Sequence, residues 1–366
     1  MTSYSSAIQK RISRNLLQWF DLHQREMPWR NSKDPYWVWV SEIMLQQTQV
    51  ATVIPYFERF IERFPDVRHL AKAQEQTVLK YWEGLGYYRR ARSLHQAAKV
   101  VERDFNGQFP SNFEGVLSLP GIGRYTAGAI LSISKGQPLP ILEGNTIRVH
   151  ARLAGIEEDV QKSATQKELW KLAESVVDSE RPGDLNQALM ELGSEICTPR
   201  SPNCEGCPVQ TVCQAYRTRR QMELPFSSKK NALTEVHEAV VLIRRNNKLL
   251  LRQCQPDERW AGLWDFPRFQ IEPKQMDTEL PKRVENSSGL SIQVRDTGWS
   301  LQHGVTRFKI QLSCWVAEEV RGRLKCPGQS LKWFTTREIE ELPLSVTGRK
   351  VASNLPSLLE SRSLFP

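Results

Sequence analysis

No stretch of this 366-residue chain approaches the roughly 18 consecutive apolar residues of a membrane-spanning helix. Its opening residues, Met1-Thr-Ser-Tyr-Ser-Ser-Ala-Ile-Gln-Lys10, lack the apolar run of a secretory leader, so a cytoplasmic protein of the bacterial cytosol or nucleoid is expected. Internal repeats and low-complexity tracts are missing too, which argues against a solenoid or a disordered tail. Cysteine is sparse and clustered: of seven, Cys197, Cys204, Cys207 and Cys213 crowd into one loop while Cys254, Cys314 and Cys326 are scattered. That is the arithmetic of a metal site, not of a disulfide framework. What is present suits a globular chain: 40% hydrophobic residues, a mean hydropathy of −0.48, and length enough for two domains that each bury a core. The formal charge is +9 and both parts of the chain are basic, which fits a polyanionic partner as well as many ordinary soluble proteins.

Apolar periodicity of three and four predicts helices over residues 6–26, 35–64, 67–82, 90–104, 124–135, 163–180 and 184–196, separated by Pro- and Gly-containing breakers. The expectation is an all-α domain over 1–216. A charged stretch without apolar period, 217–234, reads as a linker. Beyond it Val236–Ile243, Lys248–Gln253, Ser291–Val294 and Phe308–Val316 are short β-branched or aromatic runs, with helices expected at 278–288 and 335–342. Residues 235–366 therefore read as an α+β domain.

Four motifs carry chemistry. Leu119-Pro-Gly-Ile-Gly-Arg-Tyr-Thr-Ala127 reads as a turn before a helix, in which Gly121 and Gly123 supply positive φ and close approach, leaving backbone N–H groups for a phosphate or simply for an interhelical turn. Cys197-x6-Cys204-x2-Cys207-x5-Cys213 can place four thiolates around one centre; the spacing alone permits zinc or an iron–sulfur cluster. Glu42, among Val40, Ile43, Met44 and Leu45, is either at the polar edge of a helix or a cleft carboxyl of raised pKa. Leu85-Gly86-Tyr87-Tyr88, followed by Arg89, Arg90 and Arg92, joins a tight turn to aromatics and cations, either a capped turn or a nucleic-acid contact.

Together these segments resemble the helix-hairpin-helix base-excision glycosylases, in particular the MutY-type adenine glycosylases: LPGxGRxTA at the hairpin, Ser41-Glu42-Ile-Met-Leu-Gln-Gln-Thr-Gln-Val50, the cysteine spacing, and Gly262-Leu-Trp-Asp-Phe-Pro267 at the head of a MutT-like domain. The resemblance implies a multidomain protein: an all-α helix-hairpin-helix glycosylase domain with a [4Fe–4S] loop, then an α+β Nudix-like lesion-recognition domain. It implies hydrolysis of the N-glycosidic bond of adenine mispaired with 8-oxoguanine or guanine in double-stranded DNA by a monomer. Glu42 would be the general acid. Glu143, in Pro138-Leu-Pro-Ile-Leu-Glu-Gly-Asn145, stands where the family has aspartate and would support the sugar cation, positioned by Tyr125 and Asn145. DNA contacts would come from Arg30, Gln47, Thr48, Leu85, Tyr87, Gly121, Gly123 and Arg200, with Gln47 and Tyr87 inserting into the stack.

Departures from the family are informative. Tyr125 replaces the lysine of strand-cutting relatives, implying no lyase step. The region 281–289 offers only Glu285 where a working Nudix hydrolase needs several glutamates. In place of the family's Phe-Ser-His element the chain has Val305-Thr306-Arg307, leaving His303 and Thr306 as the lesion-recognition candidates. Two rival readings follow, a glycosylase for another base and a catalytically weak binder of mispairs or abasic sites.

Overall fold

The computed structural model describes residues 4–228, 234–305, 308–325 and 331–360, so Thr306, Arg307 and Cys326 lie outside the described residues. The chain forms two compact units, one of Met1–Lys72 with Ser93–Lys229, the other of Ala73–Arg92 with Lys230–Pro366. Residues 73–92, expected within the helical domain, thus cluster with the C-terminal part. The expected linker also differs: Leu224 is buried, its carbonyl accepts from Arg152 Nε at 2.8 Å, and Phe226 O accepts from Val160 N at 3.0 Å. Isolated apolar residues and side-chain-to-backbone bonds hold this segment to the first unit, and neither leaves a periodic pattern.

The first unit is built from α1 (Ser6–His23), α2 (Pro35–Leu45), α3 (Val50–Arg63), α4 (Val67–Lys72), most of α6 (Arg89–Asp104), α7 (Phe113–Leu117), α8 (Arg124–Lys135), α9 (Gly144–Ala154), α10 (Ser163–Val176), α11 (Pro182–Glu195) and α12 (Gln214–Arg217); α5 (Glu75–Trp82) belongs to the second. Local chemistry starts α2, where Asp34 accepts from Tyr36 N at 2.8 Å and Pro35 sits in the first turn. Its residues Tyr36 and Val38 to Met44 are all buried, so α2 is a core helix on every side. It packs on α3 and on α8, and Gly128 of α8 leaves room for the Pro140 carbonyl on the approach to α9. Trp39, Phe57, Phe60 and Phe64 fill the space around it, each burial worth on the order of 2–3 kcal/mol.

The single helix expected over 35–64 is two helices. The chain turns at 46–49, with Gln47 in the left-handed region at φ 58°, a break that apolar spacing does not reveal because the period resumes beyond it. Residues 67–82 likewise divide into α4 and α5.

The second unit holds two sheets. One runs in the order β5 (Arg268–Gln270), β1 (Thr234–Leu242), β7 (Phe308–Gly322), β6 (Leu290–Val305), with β1 and β7 parallel and the other pairs antiparallel. The other joins β2 (Arg244–Arg245), β3 (Lys248–Gln253) and β4 (Trp264–Asp265), with β8 (Leu331–Phe334) on β3. β6 far exceeds the Ser291–Val294 expected; along its outer half Trp299, Leu301, His303 and Val305 share one half-buried face, and β7 pairs with it along Ser300–Val305. Helix α13 (Met276–Ser288) packs on β6, and α14 (Thr336–Glu341), α15 (Val346–Ser353) and α16 (Leu355–Glu360) complete the unit.

Candidate active site

In the first unit a cavity of about 830 Å³ is lined by Glu42 from α2, Gln47 and Thr48 from the turn after it, Tyr125 from α8, Glu143 and Asn145 at the start of α9, Met190 and Glu191 from α11, and Arg30. Its size is within the range of roughly 300–1,000 Å³ for small-molecule sites. The four residues expected to carry the chemistry, Glu42, Glu143, Tyr125 and Asn145, all line it.

Glu42 is 5% exposed, and Tyr125 donates its hydroxyl proton to Glu42 Oε2 at 2.5 Å. Burial lifts the Glu42 pKa to about 7; the Tyr125 hydrogen bond and Arg30 oppose the rise, and the charge of Glu143 adds to it. Glu42 is thus buried at the cavity and does not lie on an exposed polar edge of its helix. Burial likewise drives the Tyr125 phenol far above its ordinary range, with Glu42 and Glu143 adding to the effect, so it remains a proton donor.

Glu143 caps α9. Its Oε2 accepts from Asn145 N at 2.9 Å and its Oε1 from Thr146 N at 3.0 Å, while the Thr146 hydroxyl accepts from Glu143 N at 2.8 Å. Caps of this kind are usually made by shorter side chains; here the extra methylene is taken up by folding the carboxylate back onto the helix end. Burial raises its pKa, and the two N–H bonds and Arg148 pull the other way. Asn145 Oδ1 accepts from Arg148 Nη2 at 2.8 Å. Gly193 of α11 lets α9 come this close, since a Cβ there would lie 2.6 Å from Asn145 Cβ.

Glu191 contrasts with Glu42. Burial would raise it, yet Arg25 (Nε–Oε1 2.5 Å) and Arg30 (Nη2–Oε2 3.0 Å) hold it below the usual carboxylate range. One cavity therefore holds a carboxyl poised near neutrality and another kept ionised. Arg30, expected on DNA, is bound here to Glu191, Gln187 and the Arg25 carbonyl. Neither Glu191 nor Arg25 was singled out from sequence, where each reads as an ordinary helix or loop charge.

At the hairpin Gly121 has φ 79° and its missing Cβ leaves room for Ser93, 2.5 Å from where one would be. Gly123 corrects the expectation of positive φ. It is extended, at φ −105°, and caps α8 with no side-chain bond and open space beside it. The first-turn N–H groups of α8 thus lack a side-chain cap, which suits an anion.

The thiols of Cys197, Cys204, Cys207 and Cys213 are half-buried and free of disulfides. Burial raises the pKa of the last three and their neighbouring thiols raise it further, so the four converge. Among the described residues no trio of His, Cys, Asp or Glu forms a single-ion site. Arg152, not anticipated from sequence, donates to Cys197 Sγ at 3.2 Å and to the Thr198 carbonyl at 2.8 Å. Arg200 is exposed on the same loop.

In the second unit Leu85 is 6% exposed and Tyr87 48%, the latter at φ 45°. The His303 ring stacks on Trp260 with centroids 6.4 Å apart, and burial, Arg268, Arg259 and Lys350 lower its pKa to about 4. Glu285 is exposed on α13, and no second glutamate of residues 281–289 accompanies it. Among the described residues no helix is long and apolar enough to cross a membrane.

Residues 40–175 match the HhH-GPD superfamily of base excision DNA repair proteins, 197–213 the iron–sulfur binding domain of endonuclease III, and 239–354 the NUDIX domain. The four cysteines are thus the ligand set of a [4Fe–4S] cluster, and the second unit is Nudix-like. Among solved structures, a thermostable thymine-DNA glycosylase superposes with a TM-score of 0.52 at 29% identity, covering 58% of this chain and 98% of that one. A trapped endonuclease III–DNA covalent intermediate superposes at 0.51 and 20% identity over 59% and 99%, which shows the shared fold. The adenine DNA glycosylase of Buchnera aphidicola (subsp. Schizaphis graminum) is 38% identical over 267 residues, 73% of this chain and 77% of that one. The human adenine DNA glycosylase is 40% identical over 290 residues, 76% of this chain and 53% of that one, so this chain spans about half the length of the mammalian relatives. Fold and motifs define a base-excision DNA glycosylase with a cluster loop and a Nudix-like unit. Within that class, the chain belongs to the adenine DNA glycosylase family.

Proposed function

We propose that the chain is a monofunctional glycosylase that hydrolyses the N-glycosidic bond of adenine mispaired with 8-oxoguanine or guanine in double-stranded DNA, acting as a monomer in the cytoplasm. The observation that carries this reading is the buried Glu42, with a pKa near 7, in one cavity with Glu143 and Tyr125. The adenine is extruded into that cavity. The Glu42 carboxyl gives its proton to a ring nitrogen of the base; the C1′–N bond breaks with its electron pair going to adenine. The cation left on the deoxyribose is stabilised by the Glu143 carboxylate and captured by water, whose proton returns to a carboxylate. The folded-back geometry supports activity with glutamate at 143, since the capped carboxylate lines the cavity together with Glu42 and Tyr125. No lysine is among the described residues lining the cavity, and Tyr125 cannot form a Schiff base, which supports the absence of a lyase step.

The α8 N-terminus and the Arg200 loop would contact phosphates, the [4Fe–4S] cluster holding that loop in shape, while Gln47 and Tyr87 insert into the duplex. Thr48 would contact the base left behind and His303 would serve lesion recognition, whereas Leu85, expected on DNA, is buried and supports the turn that carries Tyr87. Arg30 acts from within the cavity, holding Glu191 ionised. The test is a single-turnover assay on duplexes with 8-oxoguanine:A and G:A pairs. Adenine should be released, with strand scission only after alkali; no release at micromolar enzyme overturns the proposal. The glutamate at 143 and the 29% identity to a thymine-DNA glycosylase favour one alternative, another target base, which preferential release from a different mispair in the same panel would establish.

A further inference from the structure

The turn that carries Tyr87 belongs to the second unit, and contacts within that unit fix it on both sides. Arg349 of α15 grips Glu83 with both arms, Nε to Oε1 at 2.6 Å and Nη2 to Oε2 at 3.0 Å, and the same guanidinium donates to the carbonyls of Leu342 at 2.7 Å and Ile339 at 3.3 Å. Gln76 donates to Gly262 O at 2.8 Å and accepts from Trp264 Nε1 at 3.0 Å. Past the turn, the Tyr88 hydroxyl donates to Leu344 O at 3.3 Å. Inside it, Trp82 Nε1 donates to Gly86 O at 3.1 Å, and Arg90 Nη2 donates to Leu85 O and Gly86 O at 3.2 and 3.3 Å.

The outcome is a non-glycine residue held at φ 45° with its ring half-exposed. A tyrosine in the left-handed region carries strain of about 1–2 kcal/mol and persists only where its surroundings over-determine it. The Arg349–Glu83 pair has the geometry to do so: it is bidentate, its side chains are 28% and 12% exposed, and it ties the residue just before Gly84 to the end of the Nudix-like unit.

We propose that Arg349 is a positioning residue for base extrusion, whose clasp on Glu83 locks the Gly84–Tyr87 turn in the shape that presents Tyr87 to DNA. This rests on the reading of Tyr87 as an inserting side chain. It assigns the Nudix-like unit a part in extrusion separate from reading the opposite base.

The test uses the full chain and a duplex with 2-aminopurine as the target base, whose fluorescence rises on unstacking. Arg349→Ala and Glu83→Gln should each slow extrusion about tenfold, while affinity for fully paired duplex and the melting temperature stay close to those of the parent chain. Arg349→Lys keeps the charge without the fork and should recover only part of the loss. Tyr87→Ala should slow extrusion at least as much, and adding Arg349→Ala to it should cost nothing more. Unchanged extrusion in both folded single variants, Arg349→Ala and Glu83→Gln, or losses that multiply in the double variant, overturn the proposal. A parental rate in Tyr87→Ala would instead overturn the insertion reading on which it rests.

Discussion

At the scale of single residues the cavity is governed by how burial and partners divide its carboxylates. Because the Glu42 pKa is raised to about 7, its proton is present below that pH and lost above it. The single-turnover rate should fall up to tenfold per pH unit above about 7 as Glu42 loses its proton, and fall again at acid pH as Glu143, whose pKa burial also raises, takes one up, measured with chemistry made rate-limiting. Glu42→Gln should lower the rate by roughly 10²–10⁴-fold. Linkage gives the matching stability effect: a carboxyl whose folded pKa lies above its unfolded value contributes stability at low pH that disappears as pH rises through about 7. The glutamine variant should therefore gain melting temperature relative to the parent at pH 8 and not at pH 4; an equal shift at both would count against a buried, titrating Glu42. For Glu143 the folded-back cap leads to two expectations. Glu143→Asp should stay within about tenfold of the parent rate, whereas Glu143→Gln, which removes the charge, should lose about 10²-fold or more with melting lowered by no more than a lost cap, about 1 kcal/mol. Sequence pointed to both glutamates through motif context and left the local Glu143 cap unread, yet it could not show that Arg25 and Arg30 serve Glu191, because those pairs join residues 166 and 161 positions apart.

At the scale of elements, catalysis depends on where α9 begins relative to α2 and α8. Gly193 allows α11 to touch Asn145, and a Cβ there would approach within 2.6 Å. Gly193→Ala should destabilise the fold by about 1–3 kcal/mol and slow base release more than it weakens DNA binding, because the displacement falls on the residue beside Glu143. Chemical denaturation together with separate binding and single-turnover measurements would show this; an affinity loss larger than the rate loss would refute it. Helix existence was legible from period and breakers for α1, α6, α8, α10 and α11. The turn between α2 and α3 was not, since an interruption of a few residues leaves the apolar phase readable on both sides. The long β6 was missed for another reason: Trp299, Leu301, His303 and Val305 alternate with Gly298, Ser300, Gln302 and Gly304, but the histidine and two glycines dilute the apolar signal, and pairing with β7 completes the strand.

At the scale of the whole molecule, the net charge of +9 and the cluster loop bear on DNA affinity. Binding to a fully paired duplex should weaken linearly in log–log plots against salt, and Arg200→Ala should reduce that slope by about 1 if its guanidinium sits on a phosphate. Cys204→Ser should abolish the broad absorbance shoulder near ~400 nm expected of a [4Fe–4S] protein and weaken DNA binding through the loss of loop shape; a retained shoulder would mean that Cys204 is not a ligand.

Periodicity and breakers by themselves determined a helical domain followed by an α+β unit, and the cysteine intervals a shared centre; the glycosylase class and the choice of Glu42 and Glu143 came from the resemblance of the motifs to a known family. These properties are written in short-range order: period, breakers and cysteine intervals depend on neighbours in the chain. Only the tertiary structure decided that Glu42 is desolvated and Glu191 ionised, that Gly123 is extended while Gly121 is not, and that residues 73–92 join the Nudix-like unit through Arg349. Desolvation and bidentate pairing are set by groups that meet across more than a hundred residues of chain, and no local pattern encodes such a meeting.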